Sequence, residues 1–142
     1  MATAPEFGST PNKGTPGSLT AANTSFDGTG STGRQLALTA SSGKGTFLPG
    51  MLFHPKGGNV ATLIRIFKNN GSDPEVAANN ALIKEQAIEL STLSQVAENK
   101  AYYVELNVAL KGDASTPERL YWTLATAVAT GIIGTPINAA DL

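Results

Sequence analysis

From Leu19 onward, short runs of β-branched, aromatic and leucine residues are separated by clusters of Gly, Asn, Asp and Pro. Short apolar runs bounded by turn residues are typical of antiparallel strands and leave little room for packed helices. The predicted strands lie near Thr20–Phe26, Arg34–Ala40, Thr46–Phe53, Asn59–Lys68, Ala81–Leu90, Ala101–Leu110, Arg119–Val128 and Ile132–Asn138. A chain with about eight strands of this kind fits an all-β fold, a two-sheet jelly-roll sandwich.

The pattern within two strands indicates which faces are buried. In Tyr102–Leu110, apolar residues occupy every second position, as in a strand with one buried face. In Val60–Lys68 both faces are apolar, which predicts a central strand covered on both sides. Arg65 lies within this strand and is expected to need a carboxylate or carbonyl partner, because an unpaired buried charge is costly. Trp122 is expected in the core.

One segment also fits a helix. The sequence Asp-Pro-Glu at positions 73–75 is typical of a helix start, and apolar residues follow at helical spacing. Several Asn, Ser and Thr residues in the same stretch disfavour a helix. We expect a brief helical turn at Pro74–Ala78 followed by a strand over Leu82–Leu90, with a helix over 74–98 as the alternative.

The start of the chain differs in composition from the rest. It is rich in Gly, Pro, Ser and Thr and has too few large apolar side chains to nucleate a core. We expect residues 1–18 to form an extended arm and residues 19–142 to form the β-sandwich domain. The arm is either a disordered tail or a segment that becomes ordered against a partner subunit. The predicted interface residues are Pro5, Phe7, Pro11 and Pro16 in the arm and His54 and Arg65 in the domain.

The composition excludes several classes of function. Without cysteine and with one histidine, the chain cannot build thiol-based or multi-histidine metal sites. A net charge of −1, with 15% charged residues, gives no basis for binding nucleic acid or anionic membranes. No signal peptide or membrane-spanning segment is expected from the apolar runs. We expect no cofactor, no metal and no small-molecule ligand.

Two short motifs have a superficial likeness to catalytic sites. Ser42–Thr46 ends like a phosphate-binding loop, but Leu38 stands where the earlier glycine is required and no helix is predicted to follow. Asp27–Gly30 resembles an aspartic-protease motif with an inserted glycine, and a second copy is missing. His54 could act as a general base beside one of the many Ser and Thr residues, but its place at a predicted strand end favours a surface or subunit-contact histidine. Both motifs are interpreted as turns, and the chain is not expected to be an enzyme.

Several segments between residues 22 and 137 carry a resemblance to a known family. They are Asn23–Gly30, Leu63–Ser72, Leu82–Glu85 and Thr126–Gly131. These segments resemble those of a family of small structural proteins of tailed bacteriophages. The resemblance implies a β-sandwich virion component with no catalytic residues, a capsid decoration (cement) protein that forms a homotrimer. It implies the major capsid protein as partner, a place on the capsid exterior that stabilises the head, and synthesis in the host cytoplasm.

The alternative is a β-sandwich binding module associated with a phage tail or fibre. Such a module would contact host glycans through aromatic side chains exposed in loops. The sequence places most of its aromatic residues within strands, which leaves Phe7 and Phe26 as the candidates.

Overall fold

The computed structural model describes residues 10–11, 14 and 16–142, and structural statements concern these residues. The described residues form the strands β1 (Thr10–Pro11), β2 (Gly17–Leu19), β3 (Arg34–Thr39), β4 (Thr46–Pro55), β5 (Thr62–Asn69), β6 (Asn80–Ile88), β7 (Tyr102–Leu110), β8 (Arg119–Leu124), β9 (Ile132–Ile137) and β10 (Ala140–Asp141). A 3-10 helix spans Ala77–Asn79. The strands form two antiparallel sheets packed as a sandwich, so the prediction of an all-β two-sheet fold is confirmed.

The strand pairing follows a nested pattern. β5 pairs with β6, β4 with β7, β3 with β8 and β2 with β9. Sheet A has the order β2-β9-β4-β7, and the short β10 pairs with the start of β4 and β1 pairs with β10. Sheet B has the order β3-β8-β5-β6. Loops between the sheets meet at one end, where Asn59 pairs with Ser91 and the Thr130 hydroxyl donates to the Gly58 carbonyl.

The core between the sheets is centred on Trp122. Its ring packs edge-to-face on Phe53, with centroids 5.0 Å apart and an interplanar angle of 70°, an arrangement that aromatic quadrupoles favour. Gly134 lies against both rings, because a Cβ there would approach Phe53 Cε1 to 2.7 Å and Trp122 Cε2 to 2.8 Å. The other large, fully buried side chains of the core are Leu48, Met51, Ile64, Ile66, Ile88, Leu110, Leu120, Leu124 and Ile132.

The predicted strand at Thr20–Phe26 is wrong. The strand lies earlier, in β2, and residues 20–33 form a loop across the outside of sheet B, here called the outer-face loop. Within it, the Asn23 amide donates to the carbonyls of Thr29 and Gly30, and its Oδ1 accepts from the Ser25 N–H. Such local side-chain to backbone bonds compete with a strand ladder. All other predicted strands overlap observed ones.

Predictions for three segments are confirmed. The stretch after position 73 forms a short helical turn, Ala77–Asn79, and then β6, so the long-helix alternative is wrong. β5 is central in sheet B and is covered by sheet A on one side and by the outer-face loop on the other. β7 buries one face and exposes the other, with a bulge at Asn107, whose φ is 48°.

We predict that Gly134→Ala lowers the free energy of unfolding by about 1–3 kcal/mol, because an added methyl overpacks the Trp122–Phe53 contact. The control is Gly58→Ala, whose Cβ would be 3.4 Å from the nearest atom. We expect it to change stability by less than about 0.5 kcal/mol. Urea unfolding at one fixed protein concentration measures both. Equal effects of the two substitutions would contradict the packing argument.

Candidate functional site

The polar groups of the outer-face loop centre on Asp27. Its carboxylate accepts hydrogen bonds from the Ser25 hydroxyl, from the Thr29 hydroxyl at 2.6 Å and from the Thr29 N–H at 3.0 Å. These bonds, that of Ser25 first, lower the pKa of Asp27 from 3.8 to about 2. The Asp27 carbonyl accepts from the Asn80 amide at 3.0 Å, which ties the loop to β6. The motif is a turn, as the sequence predicted, and the carboxylate serves its structure.

A second contact holds the same loop over sheet B. The Glu75 carboxylate pairs with Arg34 Nη1 at 2.8 Å and accepts from the Gly30 N–H at 3.0 Å. The Arg34 guanidinium also donates to the Gly28 carbonyl and lies 5.2 Å from the centre of the Tyr121 ring. The loop is therefore joined to the β5–β6 connection and to β3 by charge-assisted bonds, which are stronger than neutral ones.

Arg65 does not have the partner that its sequence position predicts. The residue is 6% exposed, and its Nε and Nη1 have no hydrogen-bond partner among the described residues. Glu85 lies opposite it in the β5–β6 register but forms no ion pair with it. Its guanidinium instead lies 4.1 Å from the centre of the Phe26 ring. The expectation of a carboxylate or carbonyl is therefore corrected to an aromatic face, which attracts a guanidinium through the ring quadrupole.

The other predicted interface residues belong to the N-terminal arm and to β4. Pro5 and Phe7 lie outside the described residues, as does the side chain of Pro11, which belongs to β1. Pro16 is exposed, next to β2. His54 is half-buried in β4 opposite Ile133 of β9, and its side chain pairs with no carboxylate that the structure describes. Of the predicted residues whose side chains the structure describes, His54 lies in sheet A, Pro16 lies next to β2 of the same sheet, and Arg65 lies in sheet B.

Four exposed apolar side chains lie at the end where the loops between the sheets meet. Val96 is 97% exposed, Leu90 71% and Leu93 61%, and Val60 is about half exposed. We call Val60, Leu90, Leu93 and Val96 the end patch. The sequence analysis did not identify this patch. The signal in the sequence was a stretch of apolar residues among Ser, Thr and Asn that does not alternate as in a strand. The same spacing also fitted one face of a helix, so it did not identify an exposed patch.

The loops that carry the end patch are held to each other by hydrogen bonds. The backbones of Asn59 and Ser91 exchange two N–H···O bonds of 3.0 Å each, and the Asn59 amide donates to the Glu89 carbonyl at 2.8 Å. The Ser94 hydroxyl accepts from the N–H groups of Val96 and Ala97 at 3.1 Å. These bonds fix the loop while its apolar side chains face solvent. A partner that covers the patch would therefore meet a preorganised surface.

No known protein family, curated protein or solved structure matches the chain. Among residues 10–11, 14 and 16–142, no helix is long and apolar enough to cross a membrane. In the same part of the chain, no group of three or more histidine and carboxylate side chains is placed to hold a metal ion.

We predict that Ser25→Ala raises the pKa of Asp27 toward 3.8, because the Ser25 hydroxyl is the largest cause of its lowering. A carboxylate whose pKa is lowered in the folded state stabilises that state above its unfolded pKa. The contribution of Asp27 is therefore lost as the pH falls from about 4 through about 2. A titration of the carboxyl carbon by NMR measures the shift, with Ser94→Ala as the control that leaves it unchanged. An unshifted pKa in Ser25→Ala would contradict the assignment.

Proposed function

We propose that the chain is a structural subunit that associates with copies of itself, as a homotrimer, and decorates the outside of a bacteriophage capsid. The observation that carries the proposal is the end patch. Large apolar side chains that are held on an ordered loop and exposed to water are typical of a protein–protein contact. A neighbouring copy that covers Leu90, Leu93 and Val96 removes this apolar surface from water and gains the free energy of its burial.

The strand order supports the jelly-roll form of the sandwich. Eight strands that pair first with last, second with second-last, and so on inward produce two four-stranded sheets, and β2–β9 pair in this way. Jelly rolls are common among viral capsid and lectin domains. Because one fold serves many functions, the architecture supports the proposal only by analogy. Self-association is inferred from the patch itself.

The rest of the proposal follows the resemblance of residues 22–137 to small phage structural proteins. A decoration protein of this kind would bind the major capsid protein and stabilise the head, as a part of the virion and without catalysis. The low charged fraction, 15%, agrees with a surface that other subunits cover. Charged residues are depleted at the centres of protein interfaces.

We predict that Val96→Asp weakens self-association by at least about tenfold. The burial of one valine side chain contributes about 1.5 kcal/mol or more to the free energy of association, and the substitution removes this contribution. The matched control is Val76→Asp, which places the same charge on an exposed valine in the β5–β6 connection. Sedimentation equilibrium of both variants and the parent measures the change. We expect the parent to have three times the mass of one chain. A monomeric parent, or an equal effect of both substitutions, would contradict self-association at the end patch.

The place in the particle needs a separate test. The test is immunogold labelling of virions from cells in which the chain is expressed from its native genome. We expect gold on the head and an unlabelled tail. Labelling of the tail would contradict the capsid assignment while leaving self-association intact.

Phe26 favours a second candidate, a glycan-binding module. Its ring is 69% exposed in the outer-face loop, and the guanidinium of Arg65 lies 4.1 Å from the ring centre. Exposed aromatic rings are apolar surfaces on which ligands stack. A glycan array with the parent and Phe26→Ala distinguishes the two functions, since a hit that disappears in the variant supports a binding module. An array without hits removes this candidate.

A further inference from the structure

The sandwich is open along the side where β6 and β7 form the edges of their sheets. In the described residues, β6 pairs only with β5 and β7 only with β4. Two clefts of about 430 and 400 Å³ lie along this side and share Lys68 and Ala109 in their linings. We call the continuous feature the side groove. It runs beside β7 from Glu105 to Asp113, away from the end patch.

Irregularities in both edge strands border the groove. β7 has a bulge near Asn107, and the register of β6 shifts at Ile83. Both residues line the larger cleft. A bulge bends its strand and increases the local twist, and such bulges are frequent at sheet edges and beside functional sites. The two bulges interrupt the backbone ladder, so the addition of a continuous strand to either edge is disfavoured. Contacts in the groove therefore depend on side chains.

The side chains of the groove combine an apolar floor with a cationic rim. Leu106 and Val108 of β7 form the floor, where they are half-buried against the core. Lysines border the groove, namely Lys44, Lys68, Lys84 and Lys111. Lys68 pairs with Glu118 at 3.4 Å, whereas Lys44, Lys84 and Lys111 form no ion pair with any residue that the structure describes.

Two carboxylates also line the groove. Glu105 accepts from the Asn107 amide at 3.0 Å, and Asp113 lies at the far end of the smaller cleft. With the Lys68–Glu118 pair counted as neutral, three lysine side chains and two carboxylate side chains line the groove, whereas the whole chain has a net charge of −1. The side chains of the groove thus carry a small excess of positive charge, and opposite charge steers a partner toward it.

We propose that the side groove binds an extended segment of a partner protein in which apolar and acidic side chains alternate. Successive side chains of an extended segment point to opposite sides. An alternating segment therefore places its apolar side chains on the Leu106 and Val108 floor and its carboxylates at the lysine rim. The proposal goes beyond the proposed function, since it involves a different surface and a different kind of partner. It is independent of the number of copies that associate through the end patch.

The test uses the full chain and a fluorescent heptapeptide of alternating glutamate and valine, with fluorescence anisotropy as the readout. We expect saturable binding that weakens as salt rises, because exposed charges are screened. The same peptide with lysine in place of glutamate should not bind. No binding of the acidic peptide up to about 1 mM, which corresponds to about −4 kcal/mol, would overturn the proposal. Equal binding of the two peptides would overturn it as well.

Paired variants locate the binding. Lys84→Glu with Lys111→Glu should weaken binding of the acidic peptide by about tenfold or more, because each change replaces attraction by repulsion. The control, Lys56→Glu with Lys100→Glu, makes the same change of charge at exposed lysines outside the groove lining and should leave binding unchanged. A circular dichroism melt of each variant verifies folding. Equal weakening by both pairs would overturn the location.

Two further results would reassign the occupant and overturn the proposal of a partner segment. If Lys84→Glu with Lys111→Glu reduces the mass of the protein without peptide, the groove holds a second copy. If the peptide binds only after deletion of residues 1–9, the groove holds the chain's own N-terminal segment. Val96→Asp tests the end patch separately, so its failure to change the mass leaves the groove proposal intact.

Discussion

The contact of Trp122 with Phe53 and Gly134 joins the two sheets, and the rest of the structure depends on it. Trp122 belongs to sheet B, whereas Phe53 and Gly134 belong to sheet A. The absence of a side chain at Gly134 allows β9 to approach the indole ring, so the sheets pack closely around one aromatic pair. Because the side chains between the sheets fill the apolar interior, the loops at the ends do not contribute to this core. They hold polar networks and exposed apolar side chains instead.

Two surfaces of different chemistry result from this arrangement. The end patch is apolar and lies on hydrogen-bonded loops, which suits a permanent contact between similar subunits. The side groove lies between two bulged edge strands and combines an apolar floor with lysines. Their separation would allow one subunit to contact its own copies and a different protein at the same time.

Much of the fold was predictable from local pattern, and the failures have physical causes. Alternation in Tyr102–Leu110 predicted a strand because burial of one face acts on every second residue. Apolar residues on both faces of β5 predicted a central strand that is buried on both sides. Thr20–Phe26 has β-branched and aromatic residues like a strand, but the Asn23 amide binds the carbonyls of Thr29 and Gly30 and stabilises a loop. Arg65 was expected to meet a carboxylate, whereas the fold placed it under Phe26. Local side-chain to backbone bonds decided the first case. A contact between distant segments decided the second.

The sequence by itself determined that the chain forms turn-bounded strands, that Trp122 is buried and that cysteine and multi-histidine chemistry are excluded. These conclusions depend on the residue types present and on spacing along the chain. Only the tertiary structure decided that Val60 joins Leu90, Leu93 and Val96 at one end and that four lysines border one groove. A surface is formed by residues that are far apart in sequence, and strand register and sheet packing determine which of them become neighbours.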